Sequence, residues 1–83
     1  MKRILYILLD ENVNEITSFD ADNIKITLIK GNKSYLLHDR FCGARYHIIY
    51  LDAALNTIIY RDWIDTCIKP MCTARGAGGI IFI

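Results

Sequence analysis

The sequence predicts a mainly β domain: an antiparallel meander or small barrel of five to seven short strands with at most one short helix, a small α+β fold being the alternative. Three observations predict it. Apolar runs are short, rich in Ile and Tyr, and closed by Asp, Asn or Gly. Residues 23–30 and 45–51 alternate with a period of two. No window longer than about ten residues carries a clear helical period.

Lys2 to Leu9 reads as the first strand, continuously apolar and so buried on both faces, stopped by Asp10-Glu11-Asn12. Glu15 to Phe19 reads as a second short strand, and Asp20-Ala21-Asp22-Asn23 as a turn, because Asp and Asn side chains bond the nearby backbone. Asn23 to Lys30 places Ile24, Ile26 and Leu28 on one face and Lys25, Thr27 and Ile29 on the other. Gly31-Asn32-Lys33-Ser34 reads as a hairpin turn returning through Tyr35 to His38. After a loop at Asp39 to Ala44, Arg45 to Leu51 and Thr57 to Trp63 read as a central antiparallel hairpin around the turn Asp52 to Asn56. Pro70 ends any helix after Trp63 by Lys69. Thr73 to Gly79 is a glycine-rich loop, and Ile80 to Ile83 a final strand that needs a sheet or an interface to cover it.

Composition narrows the functional classes. The 83 residues are 53% hydrophobic, with 10 basic and 9 acidic side chains and a formal charge of +1. Disorder is excluded by that apolar content, and length points to one domain spanning 1–83. Near-neutral charge argues against nucleic acid as a partner, since few counterions would be released. No apolar run approaches the roughly 20 residues that span a bilayer, and no secretory leader is recognisable. The expected compartment is the cytoplasm, with Cys42, Cys67 and Cys72 as free thiols. A short, greasy chain without crosslinks then needs copies of itself, so a homo-oligomer is expected.

Two segments carry a family resemblance. Ile48-Ile49-Tyr50-Leu51-Asp52 leads into Asn56-Thr57-Ile58-Ile59-Tyr60, and Arg75-Gly76-Ala77-Gly78-Gly79-Ile80-Ile81 follows. The second half thereby resembles a family of short uncharacterised proteins of Gram-positive bacteria and their phages. Its members carry an Asp-turn hairpin and a closing Gly-Tyr-x-Gly-Gly-Leu segment. The turn here lacks the family's Glu-Thr-Gly, the glycine segment lacks its Tyr, and Arg61 to Met71 stands as an insertion. The resemblance implies a β fold and a bacterial or phage origin, with no activity to carry over.

Candidate site residues come from two constellations. The glycine segment offers the backbone N–H groups of Gly76, Gly78 and Gly79 beside Arg75, a pattern suited to an anion. It lacks the Gly-Lys-Ser/Thr ending of a phosphate-binding P-loop. Arg45, Arg61 and Trp63 add guanidinium and indole groups that suit a nucleobase or a subunit interface equally. His38, Cys42, His47, Cys67 and Cys72 lack the tight spacing of a zinc site, and a Cys–His catalytic pair needs a proximity the sequence does not supply. No metal, cofactor or catalytic residue is therefore expected. The expected function is a small oligomeric protein capturing an anionic, nucleotide-like ligand, for instance sequestering a host nucleotide signal. The alternative is an inhibitor that docks on a larger host protein through its apolar edge strand.

Overall fold

A computed structural model describes residues 1–37, 44–73 and 79–83. The chain forms β1 (Lys2–Leu9), β2 (Glu15–Ala21), β3 (Ile24–Gly31), α1 (Lys33–Leu36), β4 (Ile48–Leu51), a 3-10 turn (Ala53–Leu55), α2 (Ile58–Trp63), a π-helical stretch (Ile64–Ile68), α3 (Lys69–Met71) and β5 (Ile80–Phe82). The strands make one sheet in the order β2-β3-β1-β4-β5. β1 pairs parallel with both β3 and β4, and β4 parallel with β5; only β2 and β3 are antiparallel. The fold is therefore α+β with a mixed sheet, and the purely antiparallel meander is corrected.

Several local readings hold. β1 occupies the expected residues, with Leu5 and Ile7 fully buried. Asp22 and Asn23 make the β2–β3 turn with φ of 39° and 68°, the left-handed conformation that a tight hairpin demands and that Asp and Asn tolerate best after Gly. The Asn23 carbonyl then accepts from Lys2 N at 2.8 Å, tying the turn to the start of β1. The final strand is tucked in beside β4, where Ile83 N donates to Leu51 O and Ala53 N to Ile83 O, both at 2.8 Å.

Other readings fail: only Ile48–Leu51 of the expected strand Arg45 to Leu51 is strand, and a helix through residues 58–71 joins α1 where at most one short helix was expected. The expected hairpin at Gly31 to Ser34 is the start of α1, where Asn32 Oδ1 accepts from Tyr35 N at 2.9 Å as a helix cap. The expected return strand at Thr57 to Trp63 is helix, and α2, the π stretch and α3 run on without a break through residues 58–71. Ile58 and Ile59 have β-branched side chains and read as strand, yet they are 83% and 59% exposed. The residues that fix the helix are Tyr60, Ile64, Cys67, Ile68 and Met71, all buried and spaced to share one face. That period is present in the sequence but is masked by the preceding isoleucines and by Pro70. Pro70 does not stop the helix at Lys69. The π stretch shifts the hydrogen-bond ladder, with Lys69 N–H reaching back to the Ile64 carbonyl, so Pro70 falls in the first turn of α3, where its missing donor is tolerated.

One further correction concerns the thiols. Cys67 is disulfide-bonded, whereas Cys72 is free. The chain therefore carries a crosslink in the C-terminal half of its long helix.

All the described helices pack on one face of the sheet. Leu36 of α1 and the buried side of helix 58–71 share a single core with Leu5, Ile7, Ile29, Ile49 and Leu51. The reason is topological. The steps from β3 to β4 and from β4 to β5 cross the sheet in the same direction. Right-handed crossovers taken in one direction lie on one face. The step from β1 to β3 runs through β2 in the sheet itself and covers neither face.

Candidate functional site

The parallel strands define two edges of the sheet, one at their N-terminal and one at their C-terminal ends. Arg45 lies at the N-terminal edge, where its Nη1 donates to the Pro70 carbonyl at 2.8 Å. That bond places a cation at the C-terminal end of a helix, where the helix dipole favours it. Beside it, Tyr46 N donates to Met71 O and Thr73 N to Tyr46 O, each at 2.8 Å. Arg3 was not foreseen here. Its guanidinium carbon stands 5.0 Å from the centre of the Tyr46 ring, and its Nε is buried with no hydrogen-bond partner. Only the register of β1 with β4 brings these residues together, so nothing local in the sequence signals the pair. Arg3 and His47 also exchange bonds: His47 N donates to Arg3 O at 2.8 Å, and Arg3 N donates to His47 Nδ1 at 3.0 Å. Cys72 Sγ lies 3.7 Å from the His47 carbonyl oxygen. The His47 ring is thus occupied by backbone, and it does not act as a base for the Cys72 thiol in this arrangement.

Arg61 lies at the opposite end of the helix. Nine residues separate it from Pro70, about 14 Å along the axis. It lines a cleft of about 200 Å³ with Leu55, Asn56, Thr57, Asp65 and Lys69. Asp65 holds Lys69 at 2.8 Å, which offsets one of the two cations there. Trp63 is two residues from Arg61 and points elsewhere, since side chains two apart on a helix do not share a face. It packs against the core and meets Tyr60 edge-on with ring centres 6.3 Å apart. Its indole Nε1 is buried without a partner. Gly79 is buried just ahead of β5. Arg75, Gly76 and Gly78 lie outside the described residues, as do His38 and Cys42. Arg45, Arg61 and Trp63 are therefore not brought together around one ligand. Among the described residues, no three His, Cys, Asp or Glu side chains converge as metal ligands, and no helix is long and apolar enough to cross a membrane.

Among the described residues, Tyr60 has a displaced equilibrium. Its phenol is pushed above the usual tyrosine value, first by burial and second by the negative charge of Glu11. Both favour the neutral form.

The largest unsatisfied feature is the second face of the sheet. Alternation along the strands, with the pairing register, places Ile4, Tyr6 and Leu8 of β1 beside Ile24, Ile26 and Leu28 of β3. Phe19 of β2 extends that surface on one side. Ile48 and Tyr50 of β4 and Ile81 of β5 extend it on the other. None of these side chains packs against the helix-covered core. The charged strand residues on this face, Lys2, Glu15 and Lys30, all stand at strand ends. Thr17 is the other polar strand residue of this face, making four, whereas the helix-covered face carries five: Arg3, Asp20, Lys25, Ser18 and Thr27. The open face is thus the more apolar of the two. At its centre Tyr6 and Tyr50 stack, ring centres 4.7 Å apart and planes inclined by 17°. The sequence shows half of this: Ile24, Ile26 and Leu28 plainly share a face. That β1 and β4 lay their own apolar side chains beside them, and that no described helix covers the result, follows from the parallel pairing alone.

No family model, curated protein or solved structure matches this chain.

Proposed function

We propose that this chain is a protein–protein interaction module whose working surface is the open face of its sheet. One observation carries the reading: a continuous apolar surface from Phe19 to Ile81, with the stacked Tyr6–Tyr50 pair at its middle, faces away from every described helix. Contiguous apolar patches of this kind mark association surfaces. Central aromatic residues are the ones that dominate their energetics. This modifies the expected alternative, docking through an apolar edge strand: the surface that supports docking is the sheet face, to which the last strand adds Ile81. Footprinting with a photoactivated diazirine tests it on protein isolated without denaturation from the cells that make it. Tyr6 and Tyr50 are half-buried in the chain by itself, so they should label more weakly than the equally half-buried Leu37 and Trp63 until the protein is unfolded. The exposed Met1 and Ile58, 72% and 83% accessible, serve as the internal reference. Labelling of the two tyrosines at the rate of Leu37 and Trp63 would remove the proposal.

The cleft beside Arg61 supports a second reading, capture of a small anionic ligand such as a nucleotide, with Arg61 and Lys69 facing its charge. If the chain is of phage origin, a host nucleotide signal is the natural cargo. A panel of nucleotides and cyclic dinucleotides in a thermal-shift assay tests it. A ligand at about 100 times its dissociation constant adds about 2.7 kcal/mol, and Arg61→Ala should abolish that shift. A flat response across the panel rejects this reading.

A further inference from the structure

We infer that the occupant of the open face is a second copy of this chain, packed sheet against sheet about a two-fold axis passing near Tyr6. The inference rests on reading that face as an interface and names its partner. β1 is the middle strand of the sheet and Tyr6 lies midway along it, so Tyr6 marks the geometric centre of the patch. A two-fold through that point brings apolar centre onto apolar centre. It leaves Lys2, Glu15 and Lys30 at the rim, in reach of water.

The area suffices. The five strands hold 30 residues. At about 3.3 Å rise and about 4.8 Å between strands they present about 480 Å² in flat projection. Two such faces bring together about 950 Å² before the relief of the side chains is counted. Specific interfaces begin at about 1,200 Å² of accessible surface in total. Two sheets stacked about 10 Å apart with interleaved side chains form an ordinary sandwich core.

The need is permanent, which favours a copy over a visiting protein. A chain of 9.6 kDa has a small core. Here the more apolar face of the sheet lies outside that core. A partner that comes and goes would leave this face in water whenever it left, whereas a second copy is made wherever the first is. Two-fold, self-complementary pairing is the commonest form such association takes.

Sedimentation equilibrium at micromolar concentration tests the inference on the intact chain. The expected mass is twice 9.6 kDa. Tyr50→Lys and Leu28→Lys should each raise the dimer dissociation constant at least about 30-fold, as for a central interface residue. Ile58→Lys, on the exposed side of α2, should leave it unchanged. Circular dichroism reports whether each variant folds. Should both face variants unfold, diazirine labelling of Tyr6 in the unaltered protein replaces them. Labelling that falls as protein concentration rises supports the dimer, and labelling independent of concentration overturns it. A single mass for the unaltered chain overturns it. A double mass that persists in both folded face variants also overturns it, and moves the contact elsewhere, for example to the free edge of β2. A single mass with Tyr6 protected in the native preparation rejects the second copy while sparing the wider reading.

Discussion

Replacing Gly31 by Ala sets two effects of opposite sign against each other, and the structure says which wins. Gly31 ends β3 on the face covered by helix, and it is buried. Its backbone is ordinary strand, so a side chain there restricts the unfolded chain and by itself would stabilise the fold by about 0.4–1 kcal/mol. Against this, a Cβ built at Gly31 comes within 2.9 Å of Tyr35 Cγ and 3.0 Å of Tyr35 Cβ, and closer still to Cδ2. These atoms lie at the root of the tyrosine side chain, so rotating its far end does not relieve them. The single turn of α1 must move, although Asn32 caps it and Leu36 anchors it in the core. Overpacking of this kind costs about 1–3 kcal/mol. The net expectation is a loss of about 1–2 kcal/mol, or about 4–16 °C in melting temperature for a domain of this size. Thermal unfolding followed by circular dichroism measures it. The sharper assay is the same substitution in a Tyr35→Ala background. There the obstruction is gone, and Gly31→Ala should become neutral or stabilising. The two changes then couple by about 1 kcal/mol or more. If Gly31→Ala is harmless in the unaltered chain, or equally harmful in both backgrounds, the close approach of α1 to the end of β3 is not what limits that position.

Further expectations follow from single contacts. Asp52 accepts from Leu9 N through Oδ2 at 3.0 Å and from Ala54 N through Oδ1 at 3.1 Å, so it caps the 3-10 turn and fastens the end of β1 to that of β4. Asp52→Ala should cost about 1–2 kcal/mol in urea unfolding, and Asp52→Asn, which keeps one acceptor, should cost less; equal stability of all three proteins would refute the assignment. Tyr60 titrates above its unfolded value, so its contribution is complete below about pH 10 and is lost as pH rises through its folded value. Melting temperature should fall in that alkaline window and fall less in Tyr60→Phe, and Glu11→Gln should lessen the displacement seen in an ultraviolet titration of the phenol. Thiol alkylation with peptide mapping should modify Cys72 in the absence of reductant and Cys67 only after reduction; early modification of Cys67 would contradict its crosslink.

The sequence determined the elements whose causes are local. Asp22-Asn23 makes a hairpin turn because those side chains tolerate positive φ, and β2 and β3 then pair in the register the turn imposes. The stretch Lys2 to Leu9 is a strand because a short apolar run with abrupt polar stops has little else to become. It also supplied the apolar face of β3 and the last strand. What it left open has non-local causes. Ile58 and Ile59 favour extended backbone over a few residues, but burial of Tyr60, Ile64, Cys67, Ile68 and Met71 against the sheet outweighs that preference once the sheet exists. Whether β1 pairs parallel or antiparallel is not written in β1. It depends on strands more than twenty residues away and on the helix that crosses between β4 and β5. That pairing scattered Arg45, Arg61 and Trp63 to separate places, and gathered Tyr6, Leu28 and Tyr50 onto one surface that no described helix covers. Periodicity assigns a side chain to one face of its own strand; only the tertiary arrangement decides which face the helices will cover, because the direction of each crossover is a property of the whole sheet.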